Sequence, residues 1–128
     1  MTNRLTITSG AQWEDVVGYS RATKIGNTIE VSGTVSIKDG KTIAVGDPYG
    51  QTKRILEIIR DTLEQAGASM RDVIRTRIYV TNIADWEQVG KAHGEVFAGI
   101  KPATSMVEVS KLISPEFLVE IEATAIRP

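Results

Sequence analysis

The sequence contains no cysteine and a single histidine, His93, among its 128 residues. Without cysteine the chain can form no disulfide, no thiolate metal site and no cysteine nucleophile. One imidazole also excludes the commonest zinc sites and any mechanism that needs two histidines. We therefore expect no metal site in this chain.

An excess of charge of one sign is also missing. Fifteen Lys and Arg oppose sixteen Asp and Glu, which leaves a formal net charge of −1. Because proteins bind nucleic-acid backbones by neutralising phosphates with basic residues, we expect no nucleic-acid partner. No apolar run approaches the roughly 20 residues of a membrane span, and the N-terminal stretch has no apolar signal core. We expect a cytoplasmic protein with no membrane partner.

The composition that remains is that of one globular domain. Hydrophobic residues make up 41% of the chain and charged residues 24%, which is ordinary for a soluble protein. The length fits one domain of about 100–200 residues, and no repeat or Pro/Gly/Ser-rich linker divides the chain. We therefore treat residues 1–128 as a single domain.

Alternating and helical periodicities predict several strands and two long helices. Strands are expected near Leu5 and Ile7 and over residues 19–25, 28–32, 34–37, 42–45, 75–81, 103–110 and 117–126. Turns are expected at Gly26-Asn27 and Asp39-Gly40. The first helix should begin at Asp47-Pro48 and stop at Gly67, and the second should span about 84–98 with Asn82 as its cap. This order predicts an α+β fold with two helices on one face of a mixed sheet.

The late strands alternate between an apolar and a polar face. The side chains expected toward the helices are Thr76, Ile78, Val80, Ser105, Val107, Val109, Val119, Ile121, Ala123 and Ala125. The opposite phase holds Arg75, Arg77, Tyr79, Thr104, Met106, Glu108, Glu120, Glu122 and Thr124. This polar face is either a solvated outer surface or a surface that packs on another subunit.

Two carboxylates of the polar face are candidates for chemistry. Glu120 and Glu122 lie on one strand, where a partly desolvated carboxylate can act as a general base toward water. The alternative is that both form ordinary ion pairs with Arg75 and Arg77.

The second helix offers weaker candidates. His93 lies on its apolar stripe, which favours a packed histidine, hydrogen-bonded at one end, over a catalytic one. Trp86 and Phe97 share that stripe and are expected in the core, whereas Gly90 and Gly94 are expected to let another element approach closely. Because no GxxxxGK[ST] or GxGxxG motif occurs, a nucleotide site is not predicted, and we expect no cofactor.

Several motifs follow one another in a distinctive order. They are Gly18-Tyr19-Ser20-Arg21-Ala22, Ile29-Glu30-Val31-Ser32-Gly33, residues 51–68, Ile78-Tyr79-Val80, residues 101–109 and Val119-Glu120-Ile121-Glu122-Ala123. With this set, nearly the whole chain resembles the reactive-intermediate deaminase (Rid, or YjgF-type) family.

The resemblance implies a chorismate-mutase-like fold that assembles as a homotrimer. In that assembly the sheets line a central β-barrel, the helices lie outside, and small molecules bind in clefts between subunits. The activity that it implies is cofactor-free hydrolysis of enamines and imines, such as 2-aminoacrylate, to a 2-keto acid and ammonia. It therefore favours a polar sheet face that packs on other subunits.

Four residues match functional positions of the family. Glu120 matches the glutamate that positions the attacking water, and Tyr19 matches the tyrosine of the cleft. Ser32 and Gly33 match the strand end that lines the pocket. The resemblance thus implies a catalytic role for Glu120 and substrate contacts for the other three.

Other positions depart from the family pattern. The deaminase branch has Pro-Ala-Arg-Ser, where the arginine binds the substrate carboxylate, but this chain has Thr104 followed by Ser105. Met106 stands where a cysteine is frequent, and Gly90 replaces a cleft asparagine. Charge-assisted hydrogen bonds contribute roughly 1.5–3 kcal/mol each, so we expect a less cationic site suited to a less polar or neutral ligand. Thr104 and Ser105 are expected at its anion end, with Arg21 or Arg77 as candidates to replace the guanidinium.

Three functions compete on this basis. The first is an imine or enamine hydrolase with an altered substrate range. The second is a non-catalytic trimer that binds a small metabolite or a partner protein in the same clefts. The third, RNA cleavage or translation inhibition, has been attached to relatives and is least consistent with the neutral charge balance.

Overall fold

Long helices and a mixed sheet dominate the structure, a computed structural model that describes residues 3–128. The helices are α1 (Gln12–Val17), α2 (Pro48–Gln65) and α3 (Trp86–Phe97). The strands are β1 (Arg4–Ile7), β2 (Ala22–Ile25), β3 (Thr28–Thr34), β4 (Ile37–Lys38), β5 (Lys41–Thr42), β6 (Val73–Val80), β7 (Ala103–Glu108) and β8 (Val119–Ile126).

Six of the strands form one sheet in the order β1-β2-β3-β8-β6-β7. Neighbours run antiparallel except β6 and β7, which are parallel. The sheet is therefore mixed, as predicted, and α2 packs on it through β3 and β8 while also contacting α3. β4 and β5 form a separate hairpin around Asp39-Gly40. No helix within residues 3–128 has the length and apolar content needed to cross a membrane.

The start and end of α2 follow its sequence signals. The Asp47 side chain accepts a hydrogen bond from the Gly50 amide at 3.0 Å, and Pro48 occupies the first helical position. The chain leaves the helix through Gly67, whose φ is +82°. Capping and a left-handed glycine thus set the bounds of this helix as predicted. The large apolar side chains that it buries are Ile55, Leu56, Ile59 and Leu63.

The N-terminal part of α3 differs from the prediction. Asn82 caps a short 3₁₀ turn over Ile83–Asp85, and α3 itself begins at Trp86. Phe97 is buried as expected, but Trp86 is 55% exposed. Trp86 is the first residue of α3, where the helix has only begun and the helical period of the apolar stripe does not yet apply. The expected core position of Trp86 was wrong.

The helix α1 was not predicted. The predicted strand over residues 19–25 begins only at Ala22, and α1 occupies the segment before it, ending at Gly18 with a φ of +89°. With six residues, α1 is too short for helical periodicity to be recognised. Its Glu14 is buried and accepts hydrogen bonds from the amide and hydroxyl of Ser9.

The predicted sheet faces are right for β6 and β8 and wrong for β7. Thr76 pairs with Thr104 and Ile78 with Met106. Paired neighbours point to the same face of a sheet, so Thr104 and Met106 lie on the helix side and Ser105 on the polar side. As an edge strand, β7 stays partly exposed on both faces, and its alternation therefore carried no clear signal.

Candidate functional site

A β-bulge in β3 shapes the first group of site residues. The register between β3 and β8 shifts between Val31 and Thr34, which places Ser32 and Gly33 in the bulge. Arg21 supports it, because its Nη2 donates to the carbonyl oxygens of Ser32 at 3.1 Å and Gly33 at 2.8 Å. The guanidinium of Arg21 therefore stabilises the backbone of the bulge.

Glu120 lies directly against the bulge. A Cβ on Gly33 would overlap Oε2 of Glu120 and come within 3.0 Å of its Cδ. No Lys, Arg or His of residues 3–128 forms an ion pair with Glu120 within 4.0 Å. Burial raises its pKa, the nearby charge of Glu122 raises it further, and Arg21 partly offsets both. Glu120 is thus a partly desolvated carboxylate with a raised proton affinity.

Glu122 differs from Glu120 although both share one strand and one face. The Tyr79 hydroxyl donates to Glu122 Oε1 at 2.8 Å, and Arg77 Nε lies 3.9 Å from the same oxygen. The hydrogen bond to Glu122, followed by burial, raises the pKa of Tyr79. The ion-pair interpretation therefore holds for Glu122 with Arg77, whereas it does not hold for Glu120, which remains a candidate for chemistry.

Tyr19 and Ser32 line an open depression of about 520 Å³. Tyr19 is 39% exposed, and the guanidinium of Arg21 lies 5.8 Å from its ring centroid. Hydroxyl groups of Ser20 and Thr23 also line the depression. Arg21 thus contacts Tyr19, Ser32 and Gly33, whereas neither Gly33 nor Glu120 lines the depression itself.

A second group of predicted residues lies on the opposite face of the sheet, between β7 and α3. Thr104 Oγ1 is 2.7 Å from Thr76 Oγ1, which is 2.9 Å from His93 Nε2. A Cβ on Gly90, one turn before His93, would meet no heavy atom within 4 Å. The expected close approach of another element at Gly90 and Gly94 is absent from residues 3–128, so the space at these two glycines is open.

The remaining predicted residues divide between the two faces. Met106 packs against the hydrophobic core, while Ser105 Oγ accepts a hydrogen bond from Arg75 at 2.8 Å on the polar face. Thr104 and Ser105 therefore do not face one ligand together. Neither candidate guanidinium reaches Thr104, because Arg21 holds the bulge and Arg77 pairs with Glu122.

The hydrogen bonds that connect Thr104 through Thr76 to His93 were not predicted from the sequence. Thr76 is fully buried in the apolar phase of β6, and such a buried hydroxyl needs a partner. That polar residue in an apolar phase was the available signal. His93 itself is packed as expected, with its ring 4.6 Å from that of Phe97, and burial lowers its pKa.

Side chains that could bind a metal ion do not cluster in the part of the chain that the structure describes. Within the described residues, 3–128, no group of three or more His, Asp or Glu side chains is arranged to hold a metal ion.

Comparison with known proteins agrees with this architecture. Residues 9–127 match the family described as Endoribonuclease L-PSP. A RutC family protein of Pyrococcus abyssi is 42% identical over 109 residues, which is 84% of each chain. An uncharacterized protein of Streptomyces coelicolor is 34% identical over 94% of this chain and 90% of its own length.

Solved structures show the same fold. A member of the YjgF/YER057c/UK114 family from Mycobacterium tuberculosis superposes with a TM-score of 0.89 at 47% identity, covering 98% of this chain and 100% of that one. The YjgF gene product of E. coli gives 0.82 at 26% identity, covering 97% and 99%. The fold is chorismate-mutase-like. With the family match spanning nearly the whole sequence, the chain belongs to the YjgF/Rid family.

Proposed function

We propose that this protein is a cofactor-free hydrolase of small imines or enamines that works in clefts between the subunits of a homotrimer. The observation that carries this proposal is the environment of Glu120. Its carboxylate is partly buried against Gly33, has a raised pKa and has no ion-pair partner within residues 3–128. A general base needs this combination, because a paired carboxylate would be a weaker proton acceptor.

The proposed reaction starts from the protonated imine. A water oxygen bonds to the imine carbon while Glu120 takes a proton from that water, which gives a neutral carbinolamine. The protonated carboxyl then transfers the proton to the nitrogen. The C–N bond breaks, ammonia leaves, and the remaining hydroxyl proton returns to Glu120 as the carbonyl forms. Tyr19 would donate a hydrogen bond to the substrate.

The trimer is supported by the separation of the two groups of site residues. Glu120 and Gly33 lie on the polar side of the sheet, whereas Thr104 and Gly90 lie on the helix side. A single chain therefore does not bring them to one ligand, and a neighbouring copy would complete the cleft. The exposed Val107, on the polar face at the sheet edge, also favours contact with another subunit.

Thr104 supports an altered substrate range. A guanidinium offers two directed, charge-assisted hydrogen bonds to a carboxylate, and Thr104 offers one neutral hydroxyl. No cation replaces it from Arg21 or Arg77, so we propose that substrates with a neutral group at this end are preferred.

The same departure favours a second candidate, a non-catalytic trimer that binds a small metabolite. Ligand-induced increases in melting temperature without turnover would identify it. The RNA cleavage implied by the description of the matched family is less well supported, since the net charge of −1 offers little neutralisation of phosphates.

Ammonia release from freshly generated 2-iminobutyrate and 2-aminoacrylate tests the hydrolase. We expect the wild type to exceed buffer and Glu120→Gln to fall by about 100-fold or more, the usual contribution of a general base. Glu57→Gln, which removes an equal charge from the outer surface of α2, is the matched control and should keep full activity. Wild-type rates equal to buffer on both of these imines and on a neutral one, 2-iminobutanamide, would refute the proposal.

A further inference from the structure

Three side chains form a continuous hydrogen-bonded row on the helix side of the sheet. His93 Nε2 lies 2.9 Å from Thr76 Oγ1, and Thr76 Oγ1 lies 2.7 Å from Thr104 Oγ1. Thr104 Oγ1 also lies 3.2 Å from the carbonyl oxygen of Pro102. Thr76 is fully buried while Thr104 is exposed, so the row connects an interior hydroxyl to one that faces outward.

The protons of this row can be counted, because each hydroxyl carries one proton. If His93 Nε2 carries no proton, the Thr76 hydroxyl donates to it and the Thr104 hydroxyl donates to Thr76. If Nε2 carries the proton, it donates to Thr76, Thr76 donates to Thr104, and Thr104 can donate to the carbonyl of Pro102. In both arrangements the Thr104 proton has an acceptor inside the protein, and a lone pair of Thr104 faces outward.

From this count we infer that Thr76 and His93 are positioning residues that make Thr104 a hydrogen-bond acceptor. The end of the cleft at Thr104 then selects a ligand group that presents an N–H or O–H, such as a primary amide, over a carboxylate. A carboxylate has no proton to donate, and to bind it Thr104 would have to give up an internal hydrogen bond. The inference deepens the proposed function by naming the chemical class at this end of the same cleft.

The surroundings agree with a neutral partner. Burial lowers the pKa of His93, which favours its neutral form. At the next position of β7, Ser105 accepts a hydrogen bond from Arg75 of β6, on the other face of the sheet. The row itself therefore contributes directed hydrogen bonding without positive charge.

Binding of three related probes tests the inference: 2-oxobutanamide, 2-oxobutanoate and methyl 2-oxobutanoate. The amide presents N–H groups that can donate a hydrogen bond. The acid is negatively charged and has no donor at this end, and the ester is neutral and also has no donor. Comparison with the ester therefore separates the effect of charge from the effect of hydrogen-bond donation. By calorimetric titration we expect the wild type to bind the amide about five- to tenfold more tightly than the ester, the value of one hydrogen bond. The acid should bind most weakly.

Variants at Thr76 separate positioning from folding. Thr76→Val keeps the shape but removes the hydroxyl, and it should abolish the preference for the amide, whereas Thr76→Ser should retain it. Because His93 is the only histidine, its imidazole ¹⁵N resonances are unambiguous, and Nε2 should shift in Thr76→Val but not in Thr76→Ser. Thermal unfolding of both variants confirms that they fold.

A wild type that prefers the acid, or that binds the ester as well as the amide, would overturn the inference. So would equal probe preferences in the Val and Ser variants, or no measurable binding of the amide. Failure of hydrolysis is a separate outcome, because the binding preference is measured without turnover. An amide preference without ammonia release would sustain the inference and refute only the hydrolase.

Discussion

The carboxylate of Glu120 in β8 occupies the space that any side chain on Gly33 in β3 would need. The bulge at Ser32 and Gly33 gives the two strands this close approach, and Arg21 holds the bulge through its carbonyl oxygens. A side chain at position 33 would therefore have to displace that carboxylate. Burial, followed by the charge of Glu122, raises the pKa of this carboxyl group.

Gly33→Ala tests this contact. The added methyl group should displace the movable carboxylate end of Glu120. This displacement should offset the roughly 0.5–1 kcal/mol that alanine otherwise gains over glycine within a strand, so the free energy of unfolding should change little. Urea denaturation measures the change. Gly94→Ala is the control, since its Cβ meets nothing within 4 Å and alanine in a helix interior should stabilise by about 0.5–1 kcal/mol. Equal effects of the two substitutions would contradict the proposed crowding.

Glu120→Gln should stabilise the protein at neutral pH. Because the pKa of Glu120 is raised in the folded chain, the folded state binds more protons than the unfolded state between the ordinary and the raised value. The free energy of unfolding therefore falls as pH rises through that window. The glutamine variant does not lose this free energy of unfolding. It should therefore be more stable than the wild type at pH 8, and the difference should be absent below the ordinary glutamate pKa of 4.5. Thermal melts across pH measure it, and a gain that is equal at every pH would contradict the prediction.

Thr104→Arg should restore recognition of carboxylates. A guanidinium adds charge and two directed donors, so we expect kcat/KM for 2-iminobutyrate to rise by about tenfold or more, from one charge-assisted hydrogen bond of roughly 1.5–3 kcal/mol. Thr104→Met, of similar length but uncharged, is the control and should show no gain. An arginine variant no better than the methionine variant would argue against this location for the carboxylate.

Val107→Asp tests assembly through the polar sheet face. Val107 is 47% exposed and pairs with Tyr79 of β6 on this face. Sedimentation should give three times the mass of one chain for the wild type and a smaller species for the variant, because a buried unpaired charge is costly. Val45→Asp, at an exposed position before α2, should leave the assembly intact. A wild-type chain that sediments alone would refute the trimer.

Much of the fold was accessible from the sequence because local signals and burial agreed. Asp47 and Pro48 marked the start of α2, and the alternation along β8 identified its buried face. The signal failed where burial is incomplete. In the edge strand β7 both faces remain partly exposed, so Thr104 and Met106 were assigned to the wrong side, and α1 was too short to show a period.

The site was accessible only in part for a related reason. Glu120, Tyr19, Ser32 and Gly33 could be named from motifs, but their distances depend on the bulge, which leaves no mark in a single sequence. The ion pair of Glu122 with Arg77 follows from strand register, as does the meeting of Thr104 with Thr76. Register joins residues far apart in the chain, and periodicity does not encode it.

The placement of the two tryptophans has a practical consequence. Trp13 in α1 and Trp86 in α3 are 58% and 55% exposed, and the sequence contains no others. Their indole rings emit from a wet environment already in the folded protomer, so denaturation should change the wavelength of fluorescence little. A blue shift on mixing or concentrating the protein would instead register the moment at which another molecule covers one of these rings.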